Sequence, residues 1–475
     1  MVVGQTNRNP SPALLGRSDS ITRTTHPHLP TEAADRLTAG QQGFHHHPVT
    51  PRPKTARYLL AAALPLFLTG SPSSLLAQQD TTEVKTKGVQ VFTDTTIVQD
   101  STKLQDAHPQ DSPEERGFLI VTADEKSQLR IRGSLRVNGV YDLRGLQNTD
   151  VFSTYDIPVG DANSADPRFF MSANQTRLGL EVTSDTRLGE VFLKIESDFR
   201  GQGNTARLRH AYATFDPFLA GLTWSTFGDL ASIPLTVDLD GPNSSVAVRT
   251  VQVRYTMETA EHRWRFAFAA ESPSPEIGAL GPDSAQVDEA FQATPDLVAR
   301  ARRYGDWGHT QLAVIGRTIN TKAAGGDLQV LPAFGALFSG RFDINSTNVL
   351  MFQLVGGIGI SRFISALEGR GLDVVFNPVS NEFETVNTTG GYISYGHAWK
   401  TNLESYLTAG LINVEDKEFA PPDAFDRSSY ASVNLFWQPA GGVRIGGELA
   451  LGQRVNKDGQ KGGATRLSFI GYFDF

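Results

Sequence analysis

The chain has 475 residues, 39% of them hydrophobic and 20% charged, with a formal net charge of −8 and no cysteine. These figures exclude a wholly disordered chain, disulfides and thiolate chemistry, and nucleic acid as the main partner. No stretch reaches the ~20 consecutive apolar residues of a spanning helix, so a membrane-crossing form of this chain must be a closed β-barrel, the other structure that satisfies its whole backbone in lipid.

Residues 1–50 are rich in Thr, Pro, His and Arg and carry no hydrophobic period. A basic run, Arg52–Arg57, is followed by the apolar run Tyr58–Leu68 and the small, turn-rich stretch Ser71–Ala77. Basic, then apolar, then small is the pattern of a secretory signal, with cleavage expected after Ala77. Such a signal normally opens a chain, so the expected start lies near Val49, with 1–48 an unstructured leader and 49–77 the signal peptide. Residues 78–127 read as a solvated periplasmic tail. Val84, Val91 and Val98 are seven apart, but Lys87, Asp94 and Ser101 occupy the partner positions, so no coiled coil is expected.

From 128 to 475 the hydrophobic period is two, the signature of strands with unlike faces. Leu129, Ile131, Leu135 and Val137 alternate with Arg130, Arg132, Ser134 and Arg136. The pattern recurs through Leu178/Leu180, Val191/Leu193/Ile195, Leu208/Tyr212, Leu222/Trp224, Val251/Val253/Tyr255 and Trp264/Phe266/Phe268. It continues to Arg466–Phe475, where Leu467, Phe469, Gly471, Phe473 and Phe475 share one parity. Sixteen strands are predicted. Short connections such as Asp185–Gly189, Asp216–Gly221 and Gln438–Gly442 alternate with longer ones such as Asp142–Asn174, Gly228–Ser245, Thr318–Leu331, Ser361–Gly390 and Gly452–Gly463. That alternation predicts an all-β, transmembrane, antiparallel up-and-down barrel with short periplasmic turns and long external loops. The last strand closes onto Gln128–Tyr141, with Phe475 facing lipid at the periplasmic rim.

The polar parity is basic. Arg130, Arg132, Arg177, Arg207, Arg209, Arg254, Arg263 and Arg265, with Arg136, Arg300, Arg302, Arg341, Arg444 and Arg466, lie opposite the apolar face. An Arg on the lipid face at midplane costs ~2–4 kcal/mol, so this set must line a wet interior. Glu181, Glu196, Glu404, Glu448 and Asp474 share that interior but are fewer. Guanidinium forks suit carboxylate and phosphate, and a basic channel admits anions, so diffusion of small anions is expected. The bland reading is that these arginines pair with inward acids and hold the wall together.

Gly228–Ser245 is the third external loop. A sixteen-stranded barrel leaves an aqueous channel unless something narrows it. This loop is predicted to fold inward, with Asp229, Asp238 and Asp240 opposing the arginines across the passage. Asp238-x-Asp240-Gly241 lacks the remaining ligands of a calcium loop, so no metal or cofactor is expected. His210 falls on the outward parity, a hint of a covered subunit contact.

Met171–Val182, Gly189–Phe199, Arg207–Phe215 and Leu222–Phe227 resemble the corresponding blocks of DcaP-like porins. The resemblance implies a trimeric outer-membrane channel for small organic anions such as dicarboxylates, with Arg177, Arg207 and Arg209 in the matching blocks. It implies outer-membrane lipid, anionic solutes and two further copies of the chain as partners. Some members carry a periplasmic coiled coil, which this chain lacks by sequence. Two other classes are compatible with a barrel. A barrel enzyme needs a rim nucleophile or acid–base pair, and no Gly-x-Ser-x-Gly, His-Glu-x-x-His or phosphate loop is present. A structural anchor or adhesin with a blocked lumen differs from a channel in conductance.

Overall fold

The computed structural model describes residues 89–93, 116–146, 150–160, 166–279, 287–323 and 325–475. The expected leader 1–48 and signal 49–77 lie outside the described residues.

Sixteen strands form the wall: β1 (Ser127–Arg144), β2 (Arg168–Ser172, continued by Arg177–Thr186), β3 (Gly189–Asp198), β4 (Arg207–Phe215), β5 (Phe218–Trp224), β6 (Arg249–Glu258), β7 (Trp264–Glu271) and β8 (Asp296–Gly305). They continue as β9 (Gly308–Ala323), β10 (Leu328–Asn345), β11 (Asn348–Ile358), β12 (Asn387–Lys400), β13 (Leu403–Val414), β14 (Phe425–Ala440), β15 (Val443–Asn456) and β16 (Lys461–Asp474). Each pairs antiparallel with the next, and β16 pairs with β1 from Asp474↔Ser134 to Thr465↔Arg144. That last pairing leaves the wall without an open edge.

The wall is inside-out relative to a soluble protein. Leu178, Ile195, Leu297 and Phe469 are exposed, whereas Arg136, Arg302 and Arg466 are among the largest fully buried side chains. Both follow from the period-two pattern once hydrocarbon is the outer solvent. The seven connections at the end where β16 stops are tight, down to two residues at 187–188 and 441–442. At the other end, 145–167, 225–248, 272–295 and 359–386 are long, but 324–327 and 457–460 are short. There the sequence implied longer loops. The strands instead run on past the expected stops, because Ile319, Ala323 and Ala333 on the inner face of β9 and β10 pack against Val374, Phe376 and Phe383. Those partners belong to Val374–Asn377 and Glu382–Thr385, which with Ile277–Ala279 make a small three-stranded sheet.

The hydrophobic core lies within the barrel. Phe227 and Val246 of 225–248 and Ile360, Phe363, Ile364 and Leu367 of 359–386 pack on inward Ala313, Ile315, Leu337 and Val355. Phe152 and Ile157 of 145–167 pack on Tyr430, Ala450 and Ala464. Three loops therefore fold into one side of the wall.

At the seam, Phe475 exchanges two backbone hydrogen bonds with Gly133, each 2.9 Å. Its ring lies where a Cβ on Gly133 would meet it at 2.4 Å, so any other residue there would displace the ring. Below that point β1 continues past the end of β16. Phe118–Thr122 pairs with it there, and Val89–Thr93 pairs with Phe118–Thr122. The span read as a tail thus contributes two strands to the sheet.

Arg466 and Asp142 are register partners across the seam and form a bidentate pair at 2.6 and 2.9 Å, both buried. Removing one member of such a pair strands a charge and costs ~3–5 kcal/mol, whereas replacing both by apolar groups is often neutral. Arg466→Met is therefore expected to lower the temperature at which the folded band converts to the unfolded one in SDS gel electrophoresis. The double variant Arg466→Met/Asp142→Leu should recover part of that loss.

Candidate functional site

The inner face of β1–β4 carries a connected ion-pair network. Arg132 donates to Glu181 at 3.0 Å. Lys194 bridges Glu181 (3.5 Å) and Glu196 (3.4 Å). Arg209 joins Glu196 (2.9 Å) to Asp198 (3.0 Å), and Arg207 grips Asp198 with two bonds of 3.0 and 2.7 Å. Arg130 sits opposite Glu181 in register, and Arg177 opposite Asp198 and Ser134. Arg136 donates to Ser134 and stacks over the Tyr472 ring at 4.7 Å. Asp198 holds the group together, although it is not among the residues that the sequence marks as lumen-facing. Its parity with Glu196, opposite Arg207-x-Arg209, was the available signal.

Three residues sit differently from the sequence expectation. A bulge at Arg209 leaves Glu196 opposite His210 and Ser197 opposite Leu208. The extra residue turns Arg209 and His210 to the same side. His210 is therefore buried inside, with Nδ1 3.1 Å from Thr223 Oγ1, and gives no outward contact surface. Tyr212 follows it onto the inner face, in register with Lys194. Arg263 is not on a strand. It lies in the turn at 259–263, exposed, 3.2 Å from Glu261. Arg265, one strand position inward, pairs with Glu258. Arg254 lies on the inner face of β6, across from Leu219 and Ala269, and makes no ion pair among the described residues.

Residues 225–248 cross the interior and bond to wall strands from β8 to β16. Asp229 is fully buried and takes Arg302 (2.8 Å), His309 (2.9 Å) and Ser339 (2.7 Å). Gln311 donates to Gly228 O and Gln353 accepts from Val246 N. Tyr392 donates to Ser232 O, and Asn434 to Leu235 O. Glu448 receives the backbone N–H groups of Val237 and Asp238. Asp238 accepts from Phe152 N at 2.7 Å and lies 3.8 Å from Arg466.

The loop acids therefore divide. Asp229 and Asp238 were expected to oppose the arginines across the passage, but they point into the wall and fasten the loop. The physical reason is that a loop carpeting a polar wall must satisfy its own backbone and the wall's buried cations. Asp240, partly exposed at the loop tip, is the acid that feels Arg200 and Arg207 on the β3–β4 side, next to the Arg200–Asp150 pair at 3.0 Å. Burial raises the carboxyl of Asp229, but Arg302, His309 and Ser339 outweigh it and hold the group below the usual carboxylate range. Burial drives Asp238 up to about 8; Arg466 opposes this, while Asp240 and Glu448 add to it.

A model of the DcaP outer membrane protein family matches residues 117–276 and 320–475. The chain belongs to the DcaP outer membrane protein family. Its barrel resembles the crystal structure of the outer membrane channel DcaP of Acinetobacter baumannii, with a TM-score of 0.64 and 20% identity over 74% of this chain and 98% of that one. An anion-selective porin from Comamonas acidovorans is a more distant likeness, at TM-score 0.49 and 10% identity over 74% of this chain and all of that one. No curated protein matches the sequence. Family and fold together place the chain in the bacterial outer membrane, so the short-turn end is periplasmic.

The two anchoring carboxyls respond to pH in opposite directions. For Asp238 the folded value lies above the unfolded one, so its contribution is full below about pH 4 and lost as pH rises toward about 8. For Asp229 it lies below, so its contribution is present at neutral pH and lost on acidification. Because the chain has no cysteine, single labels report cleanly. A spin label at Leu239→Cys should gain mobility between pH 6 and 9, and Asp238→Asn should abolish that gain. A label at Ala231→Cys should instead gain mobility only in acid.

Proposed function

We propose that the protein is a porin that lets small hydrophilic solutes diffuse across the outer membrane, preferring anions and in particular small carboxylates. The observation that carries this reading is the charge on the β1–β4 sector of the wall, which 225–248 reaches at Asp240 and where Arg132, Lys194 and Arg207 keep partly exposed side chains. On β1–β4, Arg132, Lys194, Arg207 and Arg209 pair with Glu181, Glu196 and Asp198, Arg130 faces Glu181 in register, and Arg136 and Arg177 lie beside Asp474 of β16. Cations outnumber the carboxylates available to them, so the sector remains positive after its pairs form, and the local charge of a narrow passage sets which ions enter. Arg254 on β6 adds to the same side, while Asp229 is held by β8–β10 and Asp238 is turned toward β15 and β16.

The pairing also supports a structural duty. The Arg207–Asp198–Arg209–Glu196 chain braces β3 against β4, as the bland reading had it. Bracing and selectivity are compatible, because the acids are fewer than the cations. The resemblance to DcaP-like porins further supports a homotrimer. A second reading, a barrel plugged by its own loops and serving as an anchor, draws on the apolar core that fills the interior beside β8–β14.

Insertion of the purified protein into planar bilayers separates these readings. Discrete conductance steps are expected, and their absence at all voltages would leave the anchor. In a potassium chloride gradient the reversal potential should report preference for chloride. Arg130→Gln/Arg177→Gln/Arg254→Gln should reduce the anion-to-cation permeability ratio by roughly threefold or more, since each removes a full charge from a confined passage. Cation preference in the unaltered protein would overturn the anion reading.

A further inference from the structure

At the external end, a cavity of about 370 Å³ opens between the loops, away from the β1–β4 arginines. That volume is in the range of small-molecule sites, ~300–1,000 Å³. Its floor is apolar: Leu372, Val375, Val386, Val414 and Phe425 are buried members of the interior core. Tyr155 stacks on Phe425, with centroids 5.0 Å apart at 25°.

Above this pair stands Arg454. Its guanidinium lies 5.1 Å from the Tyr155 ring and 5.5 Å from the Phe425 ring. It donates to Asn456 Oδ1 (2.8 Å), Tyr155 O (2.5 Å) and Asp423 O (3.4 Å), all neutral acceptors. Among the described residues no carboxylate lies within ion-pair distance of it, in contrast to its neighbours. Arg370 holds Asp156 at 2.5 Å, Lys417 holds Glu415 at 3.0 Å, and Lys457 holds Asp416 at 3.0 Å. Of the other lining acids, Asp426 pairs with Arg427 and Asp423 is exposed on the rim. A guanidinium has five N–H donors, so two remain for a ligand, on a cation kept in place by rings and carbonyls.

We propose that this cavity binds a small carboxylate with an apolar, preferably aromatic, body. The carboxylate meets the two remaining N–H groups of Arg454. The body lies on Val375, Val386 and Val414, beside the Tyr155–Phe425 stack. Arg370, over the other part of Tyr155 at 4.7 Å, closes the basic side. An acetate-sized anion reaches Arg454 but leaves the floor unused. The site's role as a first stop for incoming solute rests on the channel reading; its occupancy does not, so it is measured as binding and not as current.

The test is equilibrium dialysis of the detergent-solubilised, full-length protein against radiolabelled benzoate, with acetate as competitor. Saturable binding of one benzoate per chain is expected, with acetate competing only at about tenfold or higher concentration, as loss of apolar burial requires. Arg454→Gln should weaken binding about tenfold, the value of a charge-assisted hydrogen bond. Arg370→Gln, which alters an exposed loop pair, should weaken it less and stands in if Arg454→Gln does not fold. Arg132→Gln, in the lumen, should leave it unchanged. No saturable binding, equal competition by acetate, or loss of binding in Arg132→Gln with retention in Arg454→Gln would each overturn the site. A conducting channel with no benzoate bound would retain the porin reading and discard this one.

Discussion

Hydrocarbon around a closed wall leaves ionised side chains one place to go, and once inside they have to neutralise one another. This constraint organises the molecule. The arginines that cannot face lipid crowd the interior at the parity set by the strand period, and carboxylates from neighbouring strands and from the long loops come to meet them. Asp198 serves Arg207 and Arg209, Asp142 serves Arg466, and Asp229 serves Arg302. The first braces neighbouring strands and the other two join elements far apart in sequence, so the same contacts that bury charge also fix geometry. Exposed pairs contribute little, but buried ones are costly to break.

The interior is consequently divided. Beside β8–β14, a patch of inward positions is apolar, as at Ala313, Ile315, Leu337 and Val355, and loops pack onto it as onto a soluble core. On β1–β4 the inward positions stay charged, and the loop reaches them only with its tip. A single ring of strands thus does two jobs, scaffold on one arc and electrostatic surface on the other. A buried cluster at the external end follows the same logic. Arg317 of β9 joins Asp296 of β8 to Asp373 of 359–386, and Ser361 bonds Asp373 in turn, so the loop is tied where it enters the barrel.

Much of this was legible in the sequence, because the signal was redundant. Strand period, turn spacing and the parity of arginine pointed to one sixteen-stranded barrel, and an error at one strand left the others intact. What could not be read was local. The bulge at Arg209 adds one residue without altering composition, so His210 kept the wrong side in any count by twos. Arg263 continued the alternation of its strand one residue too far, into the turn. The inward third loop was anticipated from barrel size, but the direction of Asp229 and Asp238 depends on Arg302, His309, Ser339 and Arg466, which are distant in sequence and become neighbours only when the wall closes. The apolar arc was hidden for a related reason. Ala313 and Leu337 look like ordinary strand residues, and only the loops that cover them reveal that this side is dry.

Arg466 belongs to the final strand, yet it faces both Asp142 of the first strand and Asp238 of the third loop. Until β16 has zipped onto β1, Asp238 lacks the cation beside it and the seam lacks its bidentate clasp. Placement of the loop is thereby made conditional on completion of the ring. A half-assembled barrel in the membrane would have a loose interior, and the loop would take its final place only with the last step of assembly.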